Sequence, residues 1–215
     1  MAATGTASSA ILSIRTLGEV IVRVESSGQS IAFETRTVQA LFLYLVCQGR
    51  PLGRDYLAEL LWPERSQPQG RANLRVAIHR LRQQLDPYLL ITRQTIAFDP
   101  NAHLTLDVSN FEAHFAAGEL AATTALYQGP FLDGFYLDES PAFEQWVLLE
   151  RERLHILALT AYQQLITQLA DAGQGDGAIA AAAPAPPRPL PRTDPPPTDA
   201  PLGPKRSTQR RARPI

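Results

Sequence analysis

The chain has only one cysteine and one lysine among its 215 residues, and it has no long apolar run. A transmembrane helix needs about 20 consecutive, mostly apolar residues, so we expect no membrane span. Cys47 lies inside an apolar run, which favours a buried thiol over a catalytic nucleophile that would need a base beside it. The N-terminus lacks a basic segment followed by an apolar one, so we expect no secretory signal and a cytoplasmic protein.

Motifs of enzyme chemistry are also missing from the sequence. It contains no Gly-rich phosphate loop, no nucleophile elbow and no clustered pair of acids. The histidines at positions 79, 103, 114 and 155 do not have the close spacing of metal ligands. We therefore predict no metal, no cofactor and no enzymatic activity.

Charge divides the chain into three segments. Residues 1–107 contain 11 arginines and nine acids, and residues 108–183 contain two arginines and ten acids. Residues 184–215 contain seven basic residues and two acids. The net charge of −1 hides this asymmetry, which predicts segments with different roles.

Local patterns in the first segment predict a sheet, three helices and a hairpin. ILSIRTL, EVIVRVE and IAFET alternate apolar and polar residues, which indicates a small N-terminal antiparallel sheet. Two helices follow, one ending at Gly49 and one, in GRDYLAELLWPE, ending at Pro63. The next helix begins at Ser66, which has capping-box spacing to Gln69, and runs to about Asp86. LLITR and TIAFD then predict a hairpin.

This order of elements, across residues 10–107, is that of a winged helix-turn-helix, whose last helix lies in the DNA major groove. That helix, GRANLRVAIHRLRQQLD, carries an apolar stripe and basic residues on its other faces. We assign base reading to Asn73, Arg75 and His79, and phosphate or groove-edge contacts to Arg71, Arg80 and Arg82. Arg93 is the candidate wing contact, and Arg54 is a candidate backbone contact. The alternative is a solvated helix surface whose arginines pair with neighbouring acids.

The second and third segments differ in kind. Residues 108–183 have the pattern of an acidic helical domain, with a capping-box spacing at Ser109 and Glu112 and a long helix over 142–172. Residues 184–215 hold 11 of the 18 prolines and no aromatic residue. We expect this Pro- and Arg-rich tail to be disordered.

Several motifs within residues 10–183 resemble the bacterial transcriptional activator domain family, which includes the antibiotic-regulatory activators of actinomycetes. They are GRPLGRDYLAELLWPE, RANLRVAIHRLRQQLDP, LDVSNFEAHF, LYQGPFLDGF and FEQWVLLERERL. The resemblance implies an OmpR-type winged helix followed by an all-α, tetratricopeptide-like domain. It also implies a cytoplasmic activator that binds double-stranded DNA at direct repeats and contacts RNA polymerase.

The sequence departs from this family in two ways. We expect no receiver domain before the winged helix, and the helical pattern gives way to the proline-rich tail instead of continuing. We expect the helical domain to be incomplete, and the tail to be either a frameshift product or a genuine linker. An incomplete repeat stack would leave the helix over 142–172 partly uncovered and would favour self-association. A protein–protein adaptor or an inactive relic is the alternative function.

Overall fold

The computed structural model describes residues 11–174, in which a mixed α+β region precedes a series of helices. The strands are β1 (Leu12–Arg15), β2 (Ile21–Val24), β3 (Gln29–Ser30), β4 (Leu52–Gly53), β5 (Leu89–Ile91), β6 (Thr95–Phe98) and β7 (Leu104–Leu106). The helices are α1 (Arg36–Gln48), α2 (Arg54–Leu61), α3 (Gln67–Leu85), α4 (Asp107–Ala116), α5 (Leu120–Leu126) and α6 (Pro141–Asp171). The predicted tail at 184–215 lies outside the described residues.

The N-terminal sheet has the strand order β3-β2-β1-β7. β1 pairs with β2, and β2 with β3, in antiparallel fashion, but β7 runs parallel to β1 with Leu104 opposite Leu12. The predicted antiparallel pairing is therefore confirmed for β1, β2 and β3, whereas the parallel edge strand β7 was not predicted. The predicted strand IAFET, residues 31–35, was wrong, because β3 comprises only Gln29–Ser30, before this segment. Phe33 instead packs on Phe42, with ring centroids 5.1 Å apart.

Helix α1 is the central helix of the mixed region. Thr35 caps its start by accepting a hydrogen bond from the Val38 N–H, and its end lies at Gly49 as predicted, where φ is +60°. The buried residues are Val38, Ala40, Leu41, Phe42, Leu43, Tyr44, Leu45 and Val46. A helix that is apolar on nearly every side needs partners all round, and α1 finds them in α2, α3, β6 and α6.

Helices α2 and α3 pack closely. A Cβ atom on Gly70 would lie 3.5 Å from the Cβ of Ala58, an ordinary van der Waals distance, so the two helices are in contact at this point. The Gln69 side chain accepts a hydrogen bond from the Ser66 N–H at 3.3 Å, which places the start of α3 as predicted. The predicted apolar stripe of α3 is buried; it comprises Leu74, Ile78, Leu81 and Leu85. The opposite surface of α3 is left to solvent.

The junction between the mixed region and the helices is built around one buried carboxylate. Asp107 accepts hydrogen bonds from the N–H groups of Thr16, Leu17 and Val108, each at 2.8 Å, and from the Thr16 hydroxyl at 2.7 Å. Helix α4 therefore starts at Asp107, and the predicted start at Ser109 was wrong. One hydrophobic core continues across this junction, from Leu12 to Ala158. The division into domains at 107 stays a prediction.

Helix α6 is joined to α2 and α1 near its start. Ser140 is buried, caps α6 by accepting from the Phe143 N–H at 3.2 Å, and donates its hydroxyl to the Leu60 carbonyl at the end of α2. The Trp146 ring meets Tyr44 of α1 edge-on, with centroids 4.7 Å apart. The helical part thus contacts the helices that precede the basic helix α3.

Candidate nucleic-acid interface

A concavity of about 450 Å³ lies where the start of α2, the first half of α3 and the tip of the β5–β6 hairpin meet. It is lined by Gly53, Arg54, Asp55, Arg71, Leu74, Arg75, Arg93 and Gln94. These residues include four arginines and a single carboxylate, so the surface is cationic. Three segments that are distant in sequence contribute to it.

Backbone hydrogen bonds fix the hairpin against α2. The Arg54 N–H donates to the Gln94 carbonyl at 2.9 Å, and the short strand β4 pairs with β6. Within the turn, the Thr92 N–H donates to the Thr95 carbonyl at 3.0 Å, and the Thr95 N–H donates to the Thr92 hydroxyl at 2.9 Å. Arg93 and Gln94 are consequently held at the tip, beside the first turn of α2.

Arg71 of α3 forms a bidentate ion pair with Asp55 of α2. Its Nε and Nη2 atoms lie 2.6 and 2.7 Å from the two carboxylate oxygens. Both side chains are more than half exposed, so the pair contributes little to stability. The hydrogen bond from Arg71 lowers the pKa of Asp55, which keeps the carboxylate ionised.

The other three arginines at the concavity are free of carboxylate partners in residues 11–174. Arg75 and Arg93 are exposed and form no ion pair with any described residue. The Nε atom of Arg54 is buried and has no hydrogen-bond partner in the described part of the chain. Buried polar groups are almost always satisfied, so this unpaired donor is an exception in the described part of the chain.

The remaining predicted residues lie elsewhere on α3. Arg80 pairs with Glu34, just before α1, at 2.9 Å, and Asn73 lies one helical heptad earlier on that same flank. Arg82 pairs with Asp86 at 2.5 Å near the end of α3. His79 is exposed, one turn after Arg75. The structure thus gathers four of the eight predicted residues and separates the other four from them.

Two residues at the concavity were missed by sequence reasoning, Asp55 and Gln94. Asp55 reads in the sequence as an ordinary acid in the first turn of a helix, where it suits the helix dipole. Its partner, Arg71, is 16 residues away on another helix, so the spacing of residues within one helix could not predict this pair. Gln94 comes to the site only because the hairpin folds onto α2.

A second exposed surface lies on α6, on the side opposite its buried residues. Leu148 is 65% exposed, Leu149 62%, Ile156 53% and Leu159 48%; we call these four residues the outer face of α6. Their exposure agrees with the prediction that the long helix leaves apolar surface uncovered. Exposed apolar residues grouped on one side of a helix are typical of interaction sites.

Residues 11–174 lack two further kinds of feature. None of their helices is long and apolar enough to cross a membrane. Nor do they contain a group of three or more histidine, cysteine or acidic side chains placed to hold a metal ion. Desolvation raises the pKa of the Cys47 thiol, which disfavours the reactive thiolate.

The described fold resembles that of a solved protein. No protein-family model and no curated protein matches this chain. Among solved structures, it is similar to Mycobacterium tuberculosis EmbR, in complex with a low-affinity phosphopeptide, at a TM-score of 0.55 and 20% identity. The match covers 80% of this chain and 57% of the EmbR chain, so this chain spans little more than half of EmbR. At that identity the likeness shows the fold, a mixed α+β region followed by helices, and family membership stays a prediction.

Proposed function

We propose that α2, α3 and the β5–β6 hairpin form a winged helix-turn-helix and that the protein is a sequence-specific, DNA-binding transcriptional regulator. The observation that carries the proposal is the concavity, where arginines from all three segments converge. A solvated helix surface would account for basic residues on α3 alone. It gives no reason for Arg54 and Arg93 to meet them.

The geometry supports major-groove binding by α3. A helix-turn-helix inserts its second helix into the groove and contacts bases with the N-terminal part of that helix. Arg75 lies in the first half of α3, is exposed and has no acid partner among the described residues, so it can donate to a guanine. Arg93, at the hairpin tip, is placed to neutralise a phosphate of the adjacent backbone.

Selection of bound sequences from a random duplex library tests this proposal. The wild-type chain should recover one motif, and Arg75→Ala should relax preference at one base pair by about 1–3 kcal/mol. Arg23→Ala removes an equal charge from exposed β2 of the other sheet and should leave the motif unchanged. Weak binding with no motif, insensitive to either substitution, would contradict the proposal.

The finer parts of the proposal rest on the family resemblance. They are activation, direct-repeat operators, a cytoplasmic location and contact with RNA polymerase. Transcription from a promoter carrying the selected motif, with and without the protein, tests activation. Unchanged transcript levels at saturating protein would leave a DNA-binding protein that does not activate.

A second candidate function, an interaction module, is favoured by the outer face of α6. We propose that its occupant is a second copy of the chain, with the two α6 helices antiparallel. Around a two-fold axis between residues 153 and 154, Leu148 lies opposite Leu159 of the second copy. The same register places Glu152 opposite His155, so a carboxylate acceptor faces an imidazole that can donate a hydrogen bond. Both side chains are exposed in the single chain.

The contact would be small, so the dimer should be weak and concentration-dependent. Sedimentation velocity across a range of concentrations should show reversible dimerisation of the wild-type chain. Leu148→Asn with Leu159→Asn should abolish it, whereas Leu165→Asn, on the partly buried opposite side of α6, is the matched control. A monomer at every concentration would refute self-association and assign the outer face to another partner or another part of the chain.

A further inference from the structure

We propose that Asp55 is a positioning residue that holds Arg71 for the reading of a guanine. Arg71 would then be a specificity-determining residue, and not the phosphate or groove-edge contact that the sequence indicates. This inference rests on the proposed DNA binding. It assigns to the ion pair between α2 and α3 the role of orienting Arg71 towards a base.

The way in which the two side chains meet leaves the reading edge of Arg71 open. A guanidinium group has five N–H donors: one on Nε and two on each Nη. Asp55 takes the Nε donor and one Nη2 donor, through contacts of 2.6 and 2.7 Å. The other edge, formed by Nη1 and the second Nη2 donor, is the pair that can bind O6 and N7 of guanine together. Two carboxylate contacts also restrict rotation of the long side chain, so less conformational freedom is lost on binding.

The position of Arg71 along α3 supports base reading. It is the fifth residue of the helix and lines the concavity beside Arg75. In helix-turn-helix proteins the N-terminal residues of the second helix contact base edges. Arg82 also pairs with an acid, but it lies 11 residues further along, about 16 Å by the rise of an α-helix. Its partner, Asp86, comes from the end of the same helix, and neither residue lines the concavity.

Because Asp55 is negatively charged, its effect on the affinity for all DNA should be opposite to its effect on the preference for guanine. A carboxylate on a surface that faces DNA repels phosphates and weakens binding to every sequence. If Asp55 orients Arg71, removal of the carboxylate should strengthen non-specific binding and should also lower the preference for guanine. These opposite changes distinguish positioning from a simple charge effect.

The experiment measures Kd for the selected motif and for duplexes changed at each position, using the full-length chain. Asp55→Asn should reduce the preference for one G·C pair roughly tenfold, the discrimination expected from one good bidentate contact. Arg71→Ala should abolish preference at that same pair. Arg71→Lys should retain the salt dependence but not the preference, because an ammonium group cannot bind bidentately. Glu25→Gln, which removes the same charge at an exposed site by the other sheet, should change nothing.

A double-mutant cycle closes the test. In the Arg71→Ala background, Asp55→Asn should have no further effect on base preference. The inference is overturned if Asp55→Asn strengthens binding to all duplexes equally, or if it relaxes preference as much without Arg71 as with it. If the wild-type chain selects no motif, the proposed function itself has failed, and this result is distinct from a motif that ignores Asp55.

Discussion

Two aspartates, one at the junction and one at the concavity, show how the surroundings divide structural from functional roles. Asp107 is 8% exposed and accepts hydrogen bonds from backbone groups of two segments. The side chain of Asp55 is 59% exposed and, within residues 11–174, pairs with Arg71 alone. The first carboxylate satisfies buried donors, so its loss leaves unpaired groups inside the protein. The second orients a cation at the surface, so its loss should affect recognition and leave stability almost unchanged.

The largest expected effect is that of Asp107→Asn on stability. The amide cannot satisfy the donors of Thr16 and Leu17 as the carboxylate does, so the free energy of unfolding should fall by about 3 kcal/mol. Urea unfolding followed by circular dichroism measures the change. Asp138→Asn, at an exposed position before α6, is the control and should have little effect. Equal midpoints for the two variants would contradict the account of the junction.

Ser140→Ala should have the next largest effect. The substitution removes the N-cap of α6 and leaves the Leu60 carbonyl without its buried donor, which should cost about 1–2 kcal/mol. Thr167→Ala, an exposed site near the end of the same helix, provides a comparison. The same urea titration measures both variants. A loss no larger than that of the comparison would show that Ser140 does not join α6 to α2.

Arg93→Ala should change binding and leave folding intact. If Arg93 neutralises one phosphate, affinity should fall to a similar extent for all sequences, and the slope of log K against log salt should shrink by about 1. Arg50→Ala, exposed just after α1, is a charge-matched control. Fluorescence anisotropy at several salt concentrations gives the slopes. A loss confined to one base pair would instead assign Arg93 to base reading.

The smallest expected effect is that of Asp55→Asn on stability. The ion pair is exposed and screened by solvent, so the free energy of unfolding should hardly change. Thermal unfolding of the variant beside Asp107→Asn makes the comparison directly. A destabilisation as large as that of Asp107→Asn would make Asp55 structural and would remove the contrast between the two aspartates.

Local patterns predicted much of the fold, because they depend on residues close in sequence. The capping spacing of Ser66 and Gln69 and the glycine at position 49 place helix ends correctly, and two β-rich runs form the predicted hairpin. The parallel pairing of β7 with β1 was not predictable in this way. This pairing sets Leu12 opposite Leu104, in strands of four and three residues. Strands this short carry no sequence pattern that defines their register.

For the candidate site, the sequence likewise predicted which residues of α3 are exposed but not which of them contact other elements. Helical spacing predicted that Arg75 and His79 lie away from the apolar stripe of α3, and both are exposed. It could not show that Arg80 turns to Glu34, or that Arg71 meets Asp55, because both contacts join different elements. Which arginines share a surface is a property of tertiary packing.

The most direct test of the account compares two arginines on opposite flanks of α3. Arg75 faces the concavity, whereas Arg80 pairs with Glu34 on the side towards α1. The measurement is the Kd of Arg75→Ala and Arg80→Ala for the selected duplex at one salt concentration. We predict a loss of at least about tenfold for Arg75→Ala, from a contact worth roughly 1–3 kcal/mol, and less than about twofold for Arg80→Ala. Equal losses, or a larger loss for Arg80→Ala, would contradict the assignment of DNA to the concavity.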